Sequence, residues 1–99
     1  MMKISMNDDA MVATLKVEGR VVGPWATELG RTWHDLWTST NPKRLQLDIR
    51  GVTFADQNGS QIFREIVRVT GAEIVADSPL THYFAKLATA KTVVAREEE

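Results

Sequence analysis

No cysteine occurs in the 99 residues. That absence excludes disulfides, thiolate metal sites and cysteine nucleophiles together, and it makes a reducing, cytoplasmic compartment the default expectation. An excess of charge of one sign is lacking too, since 12 basic and 13 acidic side chains leave a formal net charge of -1. The basic residues are dispersed along the chain, so there is no electrostatic case for a nucleic-acid partner or an anionic membrane surface. No stretch approaches the roughly 18 apolar residues of a membrane span. The opening MMKISMNDDAM has no apolar core ahead of Asp8-Asp9 to act as a secretory signal. Neither targeting nor membrane insertion is expected. Internal repeats, low-complexity tracts and linker-like stretches are missing as well. The expectation is therefore one domain over residues 1–91, followed by a flexible acidic tail, 92–99, that closes on three glutamates.

What is present is an ordinary globular composition, 43% hydrophobic and 25% charged, enough for one modest core. Met2 to Met6 reads as a short edge strand, turned by Asn7-Asp8-Asp9 into MVATLKVEGRVV, where Val12, Leu15 and Val17 alternate in part with polar residues. This is an opening β-hairpin. Gly23-Pro24 marks the next boundary, because proline suits the first turn of a helix. Behind it Trp25, Leu29, Trp33, Leu36 and Trp37 stack on one helical face, with Arg31, His34 and Asp35 away from it. The tryptophan face reads as a packed inner surface on which Trp25 stays partly exposed. Asn41-Pro42 ends the helix, and RLQLDI is a central strand with Leu45, Leu47 and Ile49 on one side. After VTF and ADQNG, the residues Ile62, Phe63, Ile66, Val67 and Thr70 form the stripe of a second helix that Gly71 caps. AEIVA is a short strand. Ser78-Pro79 then opens a third helix, whose apolar face is Leu80, Tyr83, Phe84, Leu87 and Ala88. The order is β-β-α-β-α-β-α, an α/β domain whose strands and helices alternate as parallel crossovers require, within a mixed sheet.

Groups that could carry catalysis are scarce. His34 and His82 lie on different helices without a second ligand at metal spacing, and both read as ordinary surface histidines. Asp48 at a strand end and Asp56 before a helix have the chemistry of an acid/base pair, but no nucleophile or third ligand accompanies them. Capping and loop bonding are their expected roles. No catalytic residue, metal site or cofactor is expected. Asn58-Gly59 resembles a hairpin turn, yet the helical stripe from Ile62 favours Asn58 as the N-cap of the second helix, with Gln61 as its capping-box partner. Asp56 and Ser60 then crowd a helix N-terminus, where unpaired N–H groups and the helix dipole favour an anion. Residues 56 to 60 become the expected interaction centre.

The stretch LQLDIRGVTFADQNG, followed by an amphipathic helix, resembles the signature of the STAS domain, shared by sulphate transporters and bacterial anti-sigma-factor antagonists. Asp48, Gly51, Val52, Phe54, Asp56 and Gly59 match that signature in type and spacing, and the likeness extends over LKVEGRVVGPWATEL and AEIVADSPLTHYF. The resemblance implies a mixed sheet of four to five strands with helices packed on one side. It further implies a non-catalytic regulatory module that binds a serine-kinase anti-sigma factor in the cytoplasm, through Asp56, Gln57, Asn58, Gly59 and Ser60. In the family a serine at the second hydroxyl position is phosphorylated, ending the interaction. Here Gln57 and Asn58 occupy both hydroxyl positions. The usual switch is therefore expected to be absent, with Ser60 as the nearest remaining hydroxyl. Stand-alone members also serve as cytoplasmic accessory subunits of ABC-type phospholipid transporters, which makes a transporter ATPase subunit the alternative partner. Some relatives are thought to bind nucleotides near this corner, but no glycine-rich phosphate loop supports that here. A homodimer, through the tryptophan face or the edge hairpin, stays open.

Overall fold

The computed structural model describes residues 2–8, 11–40 and 44–89. The expected turn around Asp9, the Asn41-Pro42 boundary and the tail 92–99 lie outside them. Within them the order is β1 (Met2–Asp8), β2 (Ala13–Val21), α1 (Pro24–Thr40), β3 (Leu45–Ala55), α2 (Gln57–Thr70), β4 (Glu73–Val75) and α3 (Pro79–Thr89), as the sequence predicts. The strands form one mixed sheet in the order β1-β2-β3-β4, with β1 antiparallel to β2 and both β2–β3 and β3–β4 parallel. Four strands are described, so the lower of the two expected numbers holds.

Alternation sorts the two faces of the sheet. Met2, Ile4 and Met6 of β1, Ala13, Leu15 and Val17 of β2, and Leu45, Leu47 and Ile49 of β3 point to the side the helices cover. The opposite face carries Lys3, Ser5, Lys16, Gln46 and Arg50. A sheet with one wet face needs its helices on the other, where Leu29 and Trp33 of α1, Phe63 and Ile66 of α2, and Phe84 and Ala88 of α3 complete the core. Three sequence boundaries need correction. β1 does not turn at Asn7, because Asn7 and Asp8 still pair with Thr14 and Ala13. The buried register of β2 begins at Ala13 rather than Val12. RLQLDI is only the first half of β3, which continues to Ala55, so Asp48 sits inside the strand and not at its end. The cause is two register shifts against β2, each with one extra residue on β3. Core-facing positions then fall three apart, at Ile49, Val52 and Ala55, and the alternation that marks a strand is lost. Asp48 is nearly buried, and its carboxylate accepts from Arg50 through Nε at 3.0 Å, Nη2 at 2.9 Å and the backbone N–H at 3.0 Å. The Arg50 guanidinium holds that carboxyl below its ordinary pKa.

Ser78 caps α3 as expected, its hydroxyl accepting from the Thr81 N–H at 3.1 Å. The inner face of α3 differs from expectation, since Thr81, Phe84 and Ala88 are buried while Leu80 and Tyr83 are exposed. Thr81 can go inside because its hydroxyl accepts from the N–H groups of Asp77 (3.1 Å) and Ser78 (3.0 Å). Thr81→Val keeps the shape and removes that acceptor, so thermal unfolding should show a loss of about 1 kcal/mol.

Candidate functional site

Parallel β2, β3 and β4 each lead into a helix, which gathers the N-termini of α1, α2 and α3 at the same end of the sheet. The β2–α1 and β3–α2 junctions are locked to each other there. Gly23 adopts φ +49, a conformation that L side chains resist, and its carbonyl accepts the opening bonds of α1 from Ala26 and Thr27. This turns its own N–H toward Asp56, whose Oδ2 accepts at 3.0 Å. Oδ1 of the same carboxylate accepts the Gly59 N–H at 2.8 Å, and the Asp56 N–H donates to the Val21 carbonyl at 3.3 Å. One carboxylate thus caps α2 and clips it to the start of α1. The N–H groups of Gly59 and Gly23 hold the Asp56 pKa below its ordinary value.

This geometry corrects the expected cap. Asp56, not Asn58, is the N-cap, α2 begins at Gln57, and Asn58 lies in its first turn, where no capping box with Gln61 forms. Gly59 is buried against β2, and a Cβ there would collide with the backbone carbonyl oxygen of Val21. That close approach fixes where α2 starts. The five predicted residues therefore divide in two. Asp56 and Gly59 hold the junction, while Gln57 and Asn58 are exposed and Ser60 half-exposed on its outer surface.

Exposed apolar side chains stand on the elements that meet here, and of these the sequence marked Trp25 alone as exposed. Trp25 in the first turn of α1 is 44% exposed, as the packed-face reading with an exposed Trp25 expects, and Phe54 (46%), Leu80 (43%) and Tyr83 (58%) stand out as well. Phe54 and Phe84 meet edge to face at 6.4 Å, and Tyr83 tilts against Phe84 at 5.7 Å. Between α2 and α3 they line an open groove of about 690 Å³, with Leu80 and Leu87 on the apolar wall and Gln57, Ser60, Gln61 and Arg64 on the other. Arg64 Nη2 donates to the Leu87 carbonyl at 3.2 Å, and among the described residues no carboxylate pairs with it. A helical wheel places Leu80 and Tyr83 on an apolar stripe but cannot tell a core from a groove.

The residues considered for catalysis are not assembled into a site. Asp48 is engaged by Arg50 and Asp56 by two backbone N–H groups, while His34 and His82 are exposed. Among the described residues, no three His, Asp or Glu side chains group to hold a metal ion, and no helix is long and apolar enough to cross a membrane.

No protein-family model and no curated protein matches the chain in sequence. Solved structures do. An anti-sigma factor antagonist from Mycobacterium paratuberculosis superposes with a TM-score of 0.74 at 22% identity, over 84% of this chain and 74% of that one. The anti-sigma factor antagonist SpoIIAA in its unphosphorylated form gives 0.63 at 9% identity, over 84% and 79%. Mglu gives 0.58 at 20% identity, over 76% of this chain but only 19% of its own. At these identities the likeness establishes the fold, the mixed α/β architecture of the STAS antagonists.

Proposed function

We propose that this chain is a non-catalytic regulatory module that binds a protein partner through the first turn of α2, in the manner of anti-sigma-factor antagonists. One observation carries the reading. The corner presents Gln57, Asn58 and Ser60 on a turn that Asp56 and Gly59 hold rigidly, and the exposed apolar side chains Trp25, Phe54, Leu80 and Tyr83 surround it. Aromatic anchors around a polar centre are what protein interfaces are built from, and a pre-ordered backbone lowers the cost of binding. The fold shared with two antagonists supports the partner class. With Gln57 and Asn58 at the motif's hydroxyl positions, serine phosphorylation does not switch this surface, and the partner meets it in the unphosphorylated-like state.

The same lack of a hydroxyl favours a second reading, a cytoplasmic accessory subunit whose partner is the ATPase subunit of an ABC-type phospholipid transporter, where no such switch is required. A pull-down from the native cell distinguishes them, by recovering either a serine-kinase-like anti-sigma factor or a transporter ATPase. Asn58→Asp places a negative charge where the family places phosphate, on a residue whose side chain is exposed. It should weaken the recovered partner by at least about tenfold while leaving thermal unfolding within about 0.5 kcal/mol. Undiminished binding of every partner would remove the corner from the interface. Mass spectrometry after incubation with a cognate kinase and ATP should find residues 53 to 60 unmodified.

A further inference from the structure

Asn58 stands immediately before Gly59, and that pairing carries a chemistry of its own. The backbone nitrogen of the following residue can attack the side-chain carbonyl carbon of an asparagine, closing a five-membered succinimide ring and releasing ammonia. Water then opens the ring at one carbonyl or the other. The product is aspartate or, with one extra methylene in the main chain, isoaspartate. No enzyme is needed and no reactant besides water. Glycine in the second position makes the attack easiest, because it has no Cβ to obstruct the approach and its backbone turns freely. The side chain of Asn58 is exposed to solvent, so its neighbour and its exposure both mark it as convertible.

The folded corner opposes each step. Attack requires the Gly59 nitrogen to give up its proton, and that N–H donates to Oδ1 of Asp56 at 2.8 Å. Removing the proton would set an amide anion against a carboxylate, two like charges at hydrogen-bond distance. Ring closure also requires rotation about the Asn58 Cα–C bond, away from a helical ψ near about −42°. The Ser60 N–H, donating to the Asp56 carbonyl at 2.9 Å, closes the first turn of α2 around Asn58, and the close approach of Gly59 to Val21 keeps that turn in place. Oδ2 of Asp56, accepting the Gly23 N–H at 3.0 Å, ties the same turn to α1. The ring therefore closes only after the first turn of α2 opens locally.

We propose that Asn58 is a latent modification site, convertible to aspartate or isoaspartate without an enzyme, and that the Asp56 carboxylate guards it. While the clip is closed, residue 58 stays asparagine. Once it opens, residue 58 converts and does not return. Aspartate sets a negative charge on the outer surface of the turn, and isoaspartate lengthens the main chain within it, which shifts Gly59 off its seat against Val21. Either product ends the neutral, pre-ordered surface that a partner meets. This consequence rests on the partner-binding reading above. The guarding does not, and it is tested without a partner.

Peptide mass spectrometry of the full chain, incubated at physiological pH and temperature, follows the conversion at position 58. Wild type unfolded in urea supplies the unguarded rate, and the folded wild type should convert more than about tenfold more slowly. Two variants then locate the guard. Asp56→Asn leaves one amide oxygen for Gly59 without the charge, and Thr81→Val costs the fold about as much at a place that does not touch the turn. Conversion through global unfolding would rise equally in both. Guarding by Asp56 predicts a rise of about fivefold in Asp56→Asn, with Thr81→Val within about twofold of wild type. A folded wild type less than about tenfold slower than the unfolded chain, equal rates in the two variants, or slower conversion in Asp56→Asn, which would make the carboxylate a base that assists the attack, would each overturn the proposal.

Discussion

Gly59→Ala should lower the unfolding free energy by about 3 kcal/mol, and Gly30→Ala should leave it unchanged or slightly raised. Both glycines are helical, and at each the intrinsic preference favours alanine by about 1 kcal/mol. What separates them is the atom a new methyl group meets. At Gly30 it comes within 3.1 Å of the Ile62 Cδ1, the far end of a flexible side chain that can rotate aside. At Gly59 it meets the carbonyl oxygen of Val21, part of a buried backbone that also accepts the Asp56 N–H. No rotamer relieves that contact. The first turn of α2 must lift off β2, and the Asp56 bonds to Gly59 and Gly23 stretch with it. For a domain of this size the whole stability is about 5–15 kcal/mol, so the loss is a large part of it. Urea denaturation checks the pair. The Gly59→Ala midpoint should fall by on the order of 2 M, while that of Gly30→Ala stays within about 0.5 M.

The element order was legible because each boundary carries its own local chemistry. Pro24 behind Gly23, Gly71 closing α2 and Ser78-Pro79 opening α3 need no tertiary knowledge to be read, and the i, i+3, i+4 stripes between them follow from helical geometry alone. Where reading failed, tertiary contacts had decided between local equals. Asp56 and Asn58 are both good N-cap residues, and Asn58 even has Gln61 at capping-box spacing. The choice falls to Asp56 because Gly23, 33 positions away, offers it a second N–H and because Gly59 alone fits against Val21. A glycine three residues after an aspartate was the one sequence signal for this start. The second half of β3 was hidden by its bulges, which exist only relative to β2. On α3, Leu80 and Thr81 exchanged their expected places because Thr81 finds backbone donors and Leu80 faces the groove. The strand-to-helix junction at residues 56 to 60 was legible in the sequence. The division of labour within it required coordinates.

That division changes what a mutation at the corner can report. Asp56→Ala, an obvious test of partner binding, removes one acceptor from two backbone N–H groups and should cost about 2 kcal/mol, the upper range for a helix cap. Its effect on any partner would come through a frayed α2 as much as through a lost contact. Asp56→Asn separates charge from acceptor geometry, because one amide oxygen can still cap Gly59 while Gly23 loses its partner, and about half of the loss should remain. The pH dependence then identifies the charge. The folded-state pKa of Asp56 lies below the unfolded value of about 3.9, so its carboxylate contributes stability that is fully present at neutral pH and is lost as pH falls through the unfolded and then the folded value. Wild type and Asp56→Asn should therefore differ most above about pH 5 and converge toward pH 3. Asp48, also depressed by its bonds to Arg50, stays in both proteins and gives both a common acid-sensitive slope that the difference cancels. A gap between the two that stays constant from pH 7 to pH 3 would mean that the Asp56 charge contributes nothing to the clip, and that its hold on Gly23 and Gly59 is geometric alone.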